Sequence, residues 1–297
     1  MPENGNGNHP GVRAVEARRR APGSAPILIL AALFLAATFL AWYFTWFGRE
    51  LSDADVSKYL ADTSNPRHVQ HALLQIQQRM ERGDETSKTW YPQLIALSGS
   101  PETEFRLTVA WLMGTDNSSP QFHEALLKLL KDSEPIVRRN AALALVRFND
   151  ASGREELVSM LRPYVVKANA SGIIASSLQE GATVSRTTLL ARIGQADGKI
   201  VELRSPLPGR IQKLLQANGT EVSAGADVLS LNSDENSVWE ALRGLSLIGT
   251  AEDAPAIEAY ANSTDASARV REQAKNALDA IKSRTEIKPN KKQDSHD

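Results

Sequence analysis

The sequence predicts a mainly α-helical protein in which a stack of helix pairs carries one inserted all-β unit and follows a single transmembrane helix. Three observations favour this class. An apolar run lies near the N-terminus, proline-marked helix starts recur at spacings of 35 and 34 residues, and a Gly- and Pro-rich stretch interrupts the helical pattern. The predicted segments are a disordered cytoplasmic tail (1–24), a transmembrane anchor (25–48), helical repeats (49–163), the β insertion (164–232), continued helical repeats (233–284) and a disordered tail (285–297).

Composition excludes several classes of function. The chain has 297 residues with 34 Lys and Arg against 35 Asp and Glu, so its net charge of −1 argues against a basic nucleic-acid binder. The absence of cysteine excludes disulfides, cysteine zinc sites, iron–sulfur clusters and a cysteine nucleophile. Mean hydropathy is −0.30, an average of one very apolar run and a polar remainder.

The apolar run covers residues 27–47, of which 19 of 21 are apolar. A helix of this length spans about 30 Å, the thickness of a bilayer core. Aromatic residues at its end and the arginines at 18–20 before it predict an inner-membrane anchor with the N-terminus in the cytoplasm and the C-terminal domains in the periplasm of a bacterium. A cleaved signal peptide is the alternative, but bulky aromatic residues stand where a small-residue cleavage site would be expected.

The helical repeats are marked by Pro66, Pro101 and Pro135, because proline is tolerated in the first turn of a helix. The sequence pattern of Val137–Leu145 recurs at Val270–Leu278, with Val, Arg, Ala, Ala and Leu in matching positions. Each upstream copy is followed by a polar break and a second apolar helix. We therefore predict two helices per repeat of about 33–35 residues.

This pattern resembles HEAT repeats, most clearly at residues 135–145, and the resemblance covers residues 66–162 and about 235–283. It implies an α-solenoid that binds partners along its surface. The candidate protein-binding residues are Arg138 and Arg139, with bracing of the neighbouring repeat as the alternative role. Trp90 and Tyr91, with Trp111, are candidates for a ligand platform, and an aromatic core is the alternative.

The β insertion repeats internally. Gly172 and Gly209 are 37 residues apart, and Gly181 and Gly219 are 38 apart, each pair in similar text. Copies of about 38 residues are too small to bury a core singly, so the two halves are expected to pair about a pseudo-two-fold axis. Strand-like groups lie in both halves, separated by turn residues.

Residues 206–231 resemble the biotinyl/lipoyl domain, a flattened β-sandwich of two interlocked halves. In cofactor carriers of this family the turn between the halves holds a modified lysine, and Lys199 is the matching position here. Its flanking residues, Gly198 and Ile200, depart from the family's usual setting. The resemblance is therefore to the unmodified type found in periplasmic membrane-fusion (adaptor) proteins, which implies no cofactor.

We find no catalytic constellation, and the protein is not expected to be an enzyme. His68 and His71 share a helix face but lack a third metal ligand, so no metal site is predicted. The predicted function is a membrane-anchored extracytoplasmic protein-binding scaffold or adaptor in an envelope transport or secretion complex, with the membrane and proteins as partners and no nucleic acid. The alternative is a biotin or lipoyl carrier modified at Lys199.

Overall fold

The structure, a computed structural model, describes residues 25–43 and 50–287. The chain divides after Glu50 into two units. Helix α1 (Ala25–Trp42) belongs to the first unit, and all other described helices and strands belong to the second. The predicted N-terminal tail lies outside the described residues, as does most of the C-terminal tail, since the last helix continues to Ile287.

The predicted transmembrane helix is wrong. Helix α1 has 18 residues, so at 1.5 Å per residue it is about 27 Å long and covers only part of the apolar run. Residues 44–47 of that run lie outside the described part of the chain. Within the described residues, no helix combines the length and the apolar character that crossing a membrane requires.

Seven helices precede the β insertion in the second unit, and several begin where the sequence predicts. Pro66 and Pro135 are the first residues of α3 and α7, whereas α5 begins two residues after Pro101. Proline fits there because the first N–H groups of a helix have no intrahelical acceptor. The helices are α2 (Asp53–Ala61), α3 (Pro66–Glu81), α4 (Tyr91–Leu97), α5 (Thr103–Met113), α6 (Pro120–Leu129), α7 (Pro135–Arg147) and α8 (Arg154–Met160).

Polar contacts join successive helix pairs. The carboxylates of Asp116 and Asp150 accept hydrogen bonds from the backbone N–H groups of residues 118 and 152, which orders the turn between the two helices of a repeat. Each carboxylate also contacts the second helix of the preceding repeat. Tyr91 Oη donates to Asp116 at 2.7 Å, and His123 Nε2 lies 2.5 Å from Asp150.

The β unit consists of two four-stranded antiparallel sheets. The strand order is β1-β8-β6-β3 in the first sheet and β5-β4-β2-β7 in the second. Strands β1 to β4 of the first half thus occupy the same places as β5 to β8 of the second half, but in the opposite sheet. Six of the eight strands lie at strand-like groups of the sequence, whereas the two-residue strands β3 and β7 lie outside those groups. They are β1 (Tyr164–Lys167), β2 (Gly172–Ala175), β3 (Thr183–Val184), β4 (Leu189–Gly194), β5 (Ile200–Arg204), β6 (Gly209–Leu214), β7 (Glu221–Val222) and β8 (Asp227–Ser233).

The two halves of the β unit use glycine at the same point. A Cβ atom on Gly172 would collide with the carbonyl oxygen of Gly194, and one on Gly209 would collide with that of Asn232. Gly194 and Asn232 are themselves equivalent positions in the two halves. Gly172 and Gly209 therefore mark points where the neighbouring strand lies too close for a side chain.

The helical core continues across the β unit. Leu157 of α8 and Leu242 of α9 (Glu235–Ile248) belong to one buried cluster, together with residues of α10 (Ala254–Ala261) and α11 (Ala268–Ile287). Gly244 permits this packing, because a Cβ atom there would lie 2.7 Å from Leu157 Cδ1. The β unit is thus an insertion between α8 and α9, joined to them at what we call the root, residues 161–164 and 232–234.

The hairpin between β4 and β5 lies at the other end of the β unit. Strand β1 leads away from the root, and residues 168–171 carry the chain into the second sheet. There Ile173 of β2 pairs with Gly194, the last residue of β4. The turn at residues 195–199 therefore projects from the end opposite the root, which we call the free end.

Candidate functional site

A groove between the first helices of three successive helix pairs contains an exposed aromatic ring. It has a volume of about 190 Å³. Helices α5, α7 and α9 build it, and its lining residues are Trp111, Gly114, Asn140, Leu143, Ala144, Arg147, Glu240 and Arg243. We refer to it as the helix groove.

The floor of the helix groove is apolar. The side chain of Trp111 is 43% exposed, although tryptophan is usually well buried. Gly114 brings α5 close to α7, since a Cβ atom on it would lie 2.9 Å from Ala144 Cβ. The indole ring and Leu143 thus provide an accessible apolar surface beside the helix contact.

The rim of the helix groove carries one uncompensated cation. Arg243 Nη2 lies 2.6 Å from Glu240 Oε2, so these two charges neutralise each other. Arg147 Nη1 donates to the carbonyl oxygen of Gly114 at 3.3 Å, and no carboxylate of the described residues forms an ion pair with Arg147. An exposed guanidinium beside an accessible indole ring suits a ligand that offers both a carboxylate and an apolar group.

The aromatic candidates Trp90 and Tyr91 lie in helix contacts rather than on an open platform. Trp90 is 1% exposed, its Nε1 donates to Ser57 Oγ at 2.9 Å, and Arg79 stacks on its ring. The Tyr91 ring lies 4.2 Å from that of Phe122. Burial and the hydrogen bond to Asp116 raise the pKa of the Tyr91 hydroxyl well above its usual value.

The arginine candidates brace the fold. Arg138 Nη1 donates to the carbonyl oxygens of Asp132 and Ser133, and its Nε donates to Glu156 at 3.2 Å. Arg139 is 2% exposed, its Nε lies 4.0 Å from Glu156 Oε1, and its Nε and Nη1 have no hydrogen-bond partner. Burial lowers the pKa of Arg139, only partly offset by the Glu156 charge.

Lys199, the candidate modification site, lies at the free end of the β unit. Its side chain is 77% exposed, and its Nζ lies 2.9 Å from Asp197 Oδ2. The Asp197 carboxylate also accepts a hydrogen bond from the Lys199 backbone N–H, which orders the turn. Of the paired histidines, His68 Nδ1 lies 2.8 Å from Asp62 Oδ2, and no cluster of three metal-binding side chains occurs in the described part of the chain.

Sequence reasoning missed the polar residues of the helix groove. Arg138 and Arg147 both lie on α7. The helical period does not show that Arg138 donates hydrogen bonds to carbonyl oxygens and to Glu156, whereas Arg147 has no carboxylate partner among the described residues. The available signal was positional. Arg106 and Arg138 occupy equivalent positions of two repeats, 32 residues apart. The same offset relates Trp111 to Leu143, and both positions lie outside the predicted buried stripe.

Comparison with known proteins finds a match to HEAT repeats over part of the helical region. The family of HEAT repeats matches residues 91–175, which span α4 to α8 and the first two strands. The predicted HEAT-like repeats are thereby confirmed for this segment. No curated protein matches the chain.

Two solved structures are similar in part. A single-chain, multi-domain long-chain acyl-CoA carboxylase is 18% identical with a TM-score of 0.23, and the alignment covers 42% of this chain. This chain spans only 10% of the length of that carboxylase. The crystal structure of an engineered protein is 16% identical over 77% of this chain and 79% of that one, with a TM-score of 0.41. Similarity at these levels carries no argument about what this protein does.

Proposed function

We propose that the protein is a protein-binding scaffold that holds a partner segment in the helix groove. The observation that carries this proposal is the exposed indole ring of Trp111 beside Arg147, whose charge is uncompensated among the described residues. Aromatic residues and arginine are the types that contribute most to binding in protein interfaces. A stack of helical repeats also offers a long surface to a partner.

The β unit is proposed to be a biotinyl/lipoyl-like sandwich that serves as an unmodified interaction module. Two findings support this. The two halves of the chain contribute equivalent strands to the two sheets. Gly172 and Gly209 lie at equivalent positions, each against the backbone of a neighbouring strand. Together with the solenoid it makes a scaffold with two separate surfaces. The predicted extracytoplasmic location and envelope transport context remain predictions, and a reporter fused to the C-terminus tests the location.

A groove-directed crosslinking experiment tests the scaffold function. A benzophenone amino acid replaces Trp111 in the full-length protein, expressed in its native source, and a matched variant carries it at the exposed Lys128 of α6. We expect a distinct protein adduct from position 111 only, which Arg147→Glu removes without changing the melting temperature. Identical adducts from both positions, or an adduct that survives Arg147→Glu, would overturn the proposal.

The second candidate is a biotin or lipoyl carrier modified at Lys199. The exposed position of this side chain at the free end favours it, since a modifying enzyme needs access to the amine. Intact-mass measurement of protein from its native source decides between the two functions. A mass increase that Lys199→Arg abolishes supports the carrier, and an unmodified mass removes it.

A further inference from the structure

The free end of the β unit carries a row of side chains across all four strands of the second sheet. Glu221 of β7 pairs with Ile173 of β2, which pairs with Gly194 of β4, which pairs with Ile200 of β5. Directly paired residues of antiparallel strands present their side chains on the same side of a sheet. The alternate residues Ile174, Ile193 and Val222 are buried in the sandwich, so this row lies on the outer surface.

The row is apolar and exposed. Ile173 is 56% exposed and Ile200 is 65% exposed. Within residues 50–286 only one other large apolar side chain, Leu247, is more than half exposed. Because Gly194 has no side chain, the two isoleucines flank a gap two strand spacings wide, about 10 Å.

The equivalent row of the first sheet shows that this surface is not a requirement of the fold. There Thr183 pairs with Arg210, and Arg210 pairs with Asn232. These positions match Glu221, Ile173 and Gly194 in the other half, and all three are polar. The same architecture is therefore built with a polar row near the root and an apolar row at the free end.

Charge defines the surroundings of the apolar row. In the next row of the same surface, Glu202 Oε1 lies 3.9 Å from Arg192 Nε, and Glu202 Oε2 lies 2.6 Å from Arg204 Nη2, so this carboxylate is compensated. At the turn, Lys199 and Asp197 compensate each other. Glu221 lies at the end of the apolar row, and among the residues that the structure describes no cation forms an ion pair with it. The row therefore combines two apolar groups with one uncompensated negative charge.

We infer that this row is a docking surface for a protein segment that places one apolar side chain over Gly194 and one Lys or Arg against Glu221. Gly194 and Glu221 are two strands apart, which is about 10 Å. A segment in the polyproline II conformation covers about 9 Å in three residues and presents every third side chain on the same face. The ligand is thus a segment in this conformation with an apolar residue and a basic residue three positions apart. It differs in charge from the ligand that suits the helix groove, so the two surfaces select different segments.

A peptide titration of the full-length protein tests this inference. The probe is a capped eight-residue peptide of Ser and Gly that carries Leu and Lys three positions apart, and the control peptide carries Glu in place of Lys. Binding is followed by NMR through the Ile173 and Ile200 methyl signals. We expect the Leu–Lys peptide to shift both signals, whereas the Leu–Glu peptide leaves them unchanged.

Matched variants locate the contact. Ile200→Thr keeps a β-branched side chain and is expected to weaken binding about tenfold, because an apolar contact is lost. Glu221→Gln is expected to weaken it about threefold, in line with an exposed ion pair. Val165→Thr is the control, since Val165 is an exposed apolar residue of the other sheet, and it leaves binding unchanged.

Four outcomes overturn the inference. They are the absence of methyl shifts up to the solubility limit of the peptide, equal binding of the Leu–Glu peptide, equal weakening by Val165→Thr, and methyl shifts that depend on protein concentration alone. The last outcome would identify a second copy of the chain as the occupant. Because none of these measurements involves the helix groove, they leave the proposed scaffold function to its own test.

Discussion

Arg154 and Asp253 are 99 residues apart in the chain, yet Arg154 Nη1 donates to Asp253 Oδ1 at 3.0 Å. The same guanidinium donates to Thr250 Oγ1 at 2.6 Å. Arg154 begins α8 before the β insertion, and Asp253 immediately precedes α10 after it. Tyr91–Asp116 and His123–Asp150 are polar contacts of the same kind between neighbouring helix pairs. The Arg154–Asp253 contact therefore continues this series across the insertion.

The first prediction concerns removal of the β unit. Tyr164 and Leu231 are directly paired, so their Cα atoms are about 5 Å apart and a linker of a few glycine and serine residues can replace residues 164–232. We expect the shortened protein to keep its helical circular dichroism signal and to unfold in one cooperative transition, because α8 and α9 share one buried cluster. A broad, non-cooperative transition would contradict this.

Local patterns in the sequence predicted much of this architecture. Proline at a helix start acts within a few residues, so Pro66 and Pro135 indicated helix starts directly. Gly172 and Gly209 indicated the internal repeat of the β unit, whereas the strands that they approach are known only from the structure. Hydropathy predicted a membrane-spanning helix, whereas α1 has 18 residues and none of the described helices meets the length and apolar character of a span.

The candidate sites depend on contacts that local patterns do not contain. The partner of Arg154 is remote in the chain, and the environment of Trp111 depends on how α5, α7 and α9 lie against one another. The row at the free end depends on strand register, which joins Ile173 and Ile200 through Gly194. Such pairings follow from tertiary packing and become visible only in the folded protein.

The second prediction compares glycines in the β unit. Gly172→Ala is expected to lower the free energy of unfolding by about 3 kcal/mol, because the new Cβ atom would collide with the Gly194 carbonyl oxygen. Gly198 is the matched control, since it has a positive φ of 82° but open space around it. Gly198→Ala should cost only about 1 kcal/mol. Urea unfolding of both variants measures the difference, and equal costs would show that backbone strain, rather than the collision, dominates.

The third prediction concerns an unusual backbone conformation. Thr187 has φ 68°, and the residue 38 positions later, Gly225, has φ 84° in the equivalent turn. A β-branched residue in this region is strained by about 1–2 kcal/mol, and glycine is not. Thr187→Gly is therefore expected to raise the free energy of unfolding by about 0.5–1 kcal/mol, after the entropic cost of glycine. The reciprocal change, Gly225→Thr, should lower it, and a loss of stability in both variants would contradict the argument.

The fourth prediction concerns the ion pair between Arg106 and Asp132. Arg106 Nε and Nη2 donate to both carboxylate oxygens of Asp132 at 2.7 and 3.0 Å, and both side chains are largely buried. Burial acts to raise the pKa of Asp132, but the hydrogen bonds from Arg106 and from the Glu134 backbone N–H outweigh it, so the pKa is lowered. Asp132→Asn is expected to cost about 2–3 kcal/mol at neutral pH.

The pH dependence gives this prediction its sign. A carboxylate whose pKa is lower in the folded state contributes stability above its unfolded pKa of about 4 and loses that contribution as the pH falls through the folded value. The difference between the wild-type protein and Asp132→Asn in urea unfolding should therefore be largest near neutral pH and shrink progressively below about pH 4. Glu240→Gln is the control, since Glu240 pairs with Arg243 on the surface and should cost about 0.5 kcal/mol. A difference for Asp132→Asn that stays constant into acid would show that shape, rather than the charge of Asp132, stabilises this contact.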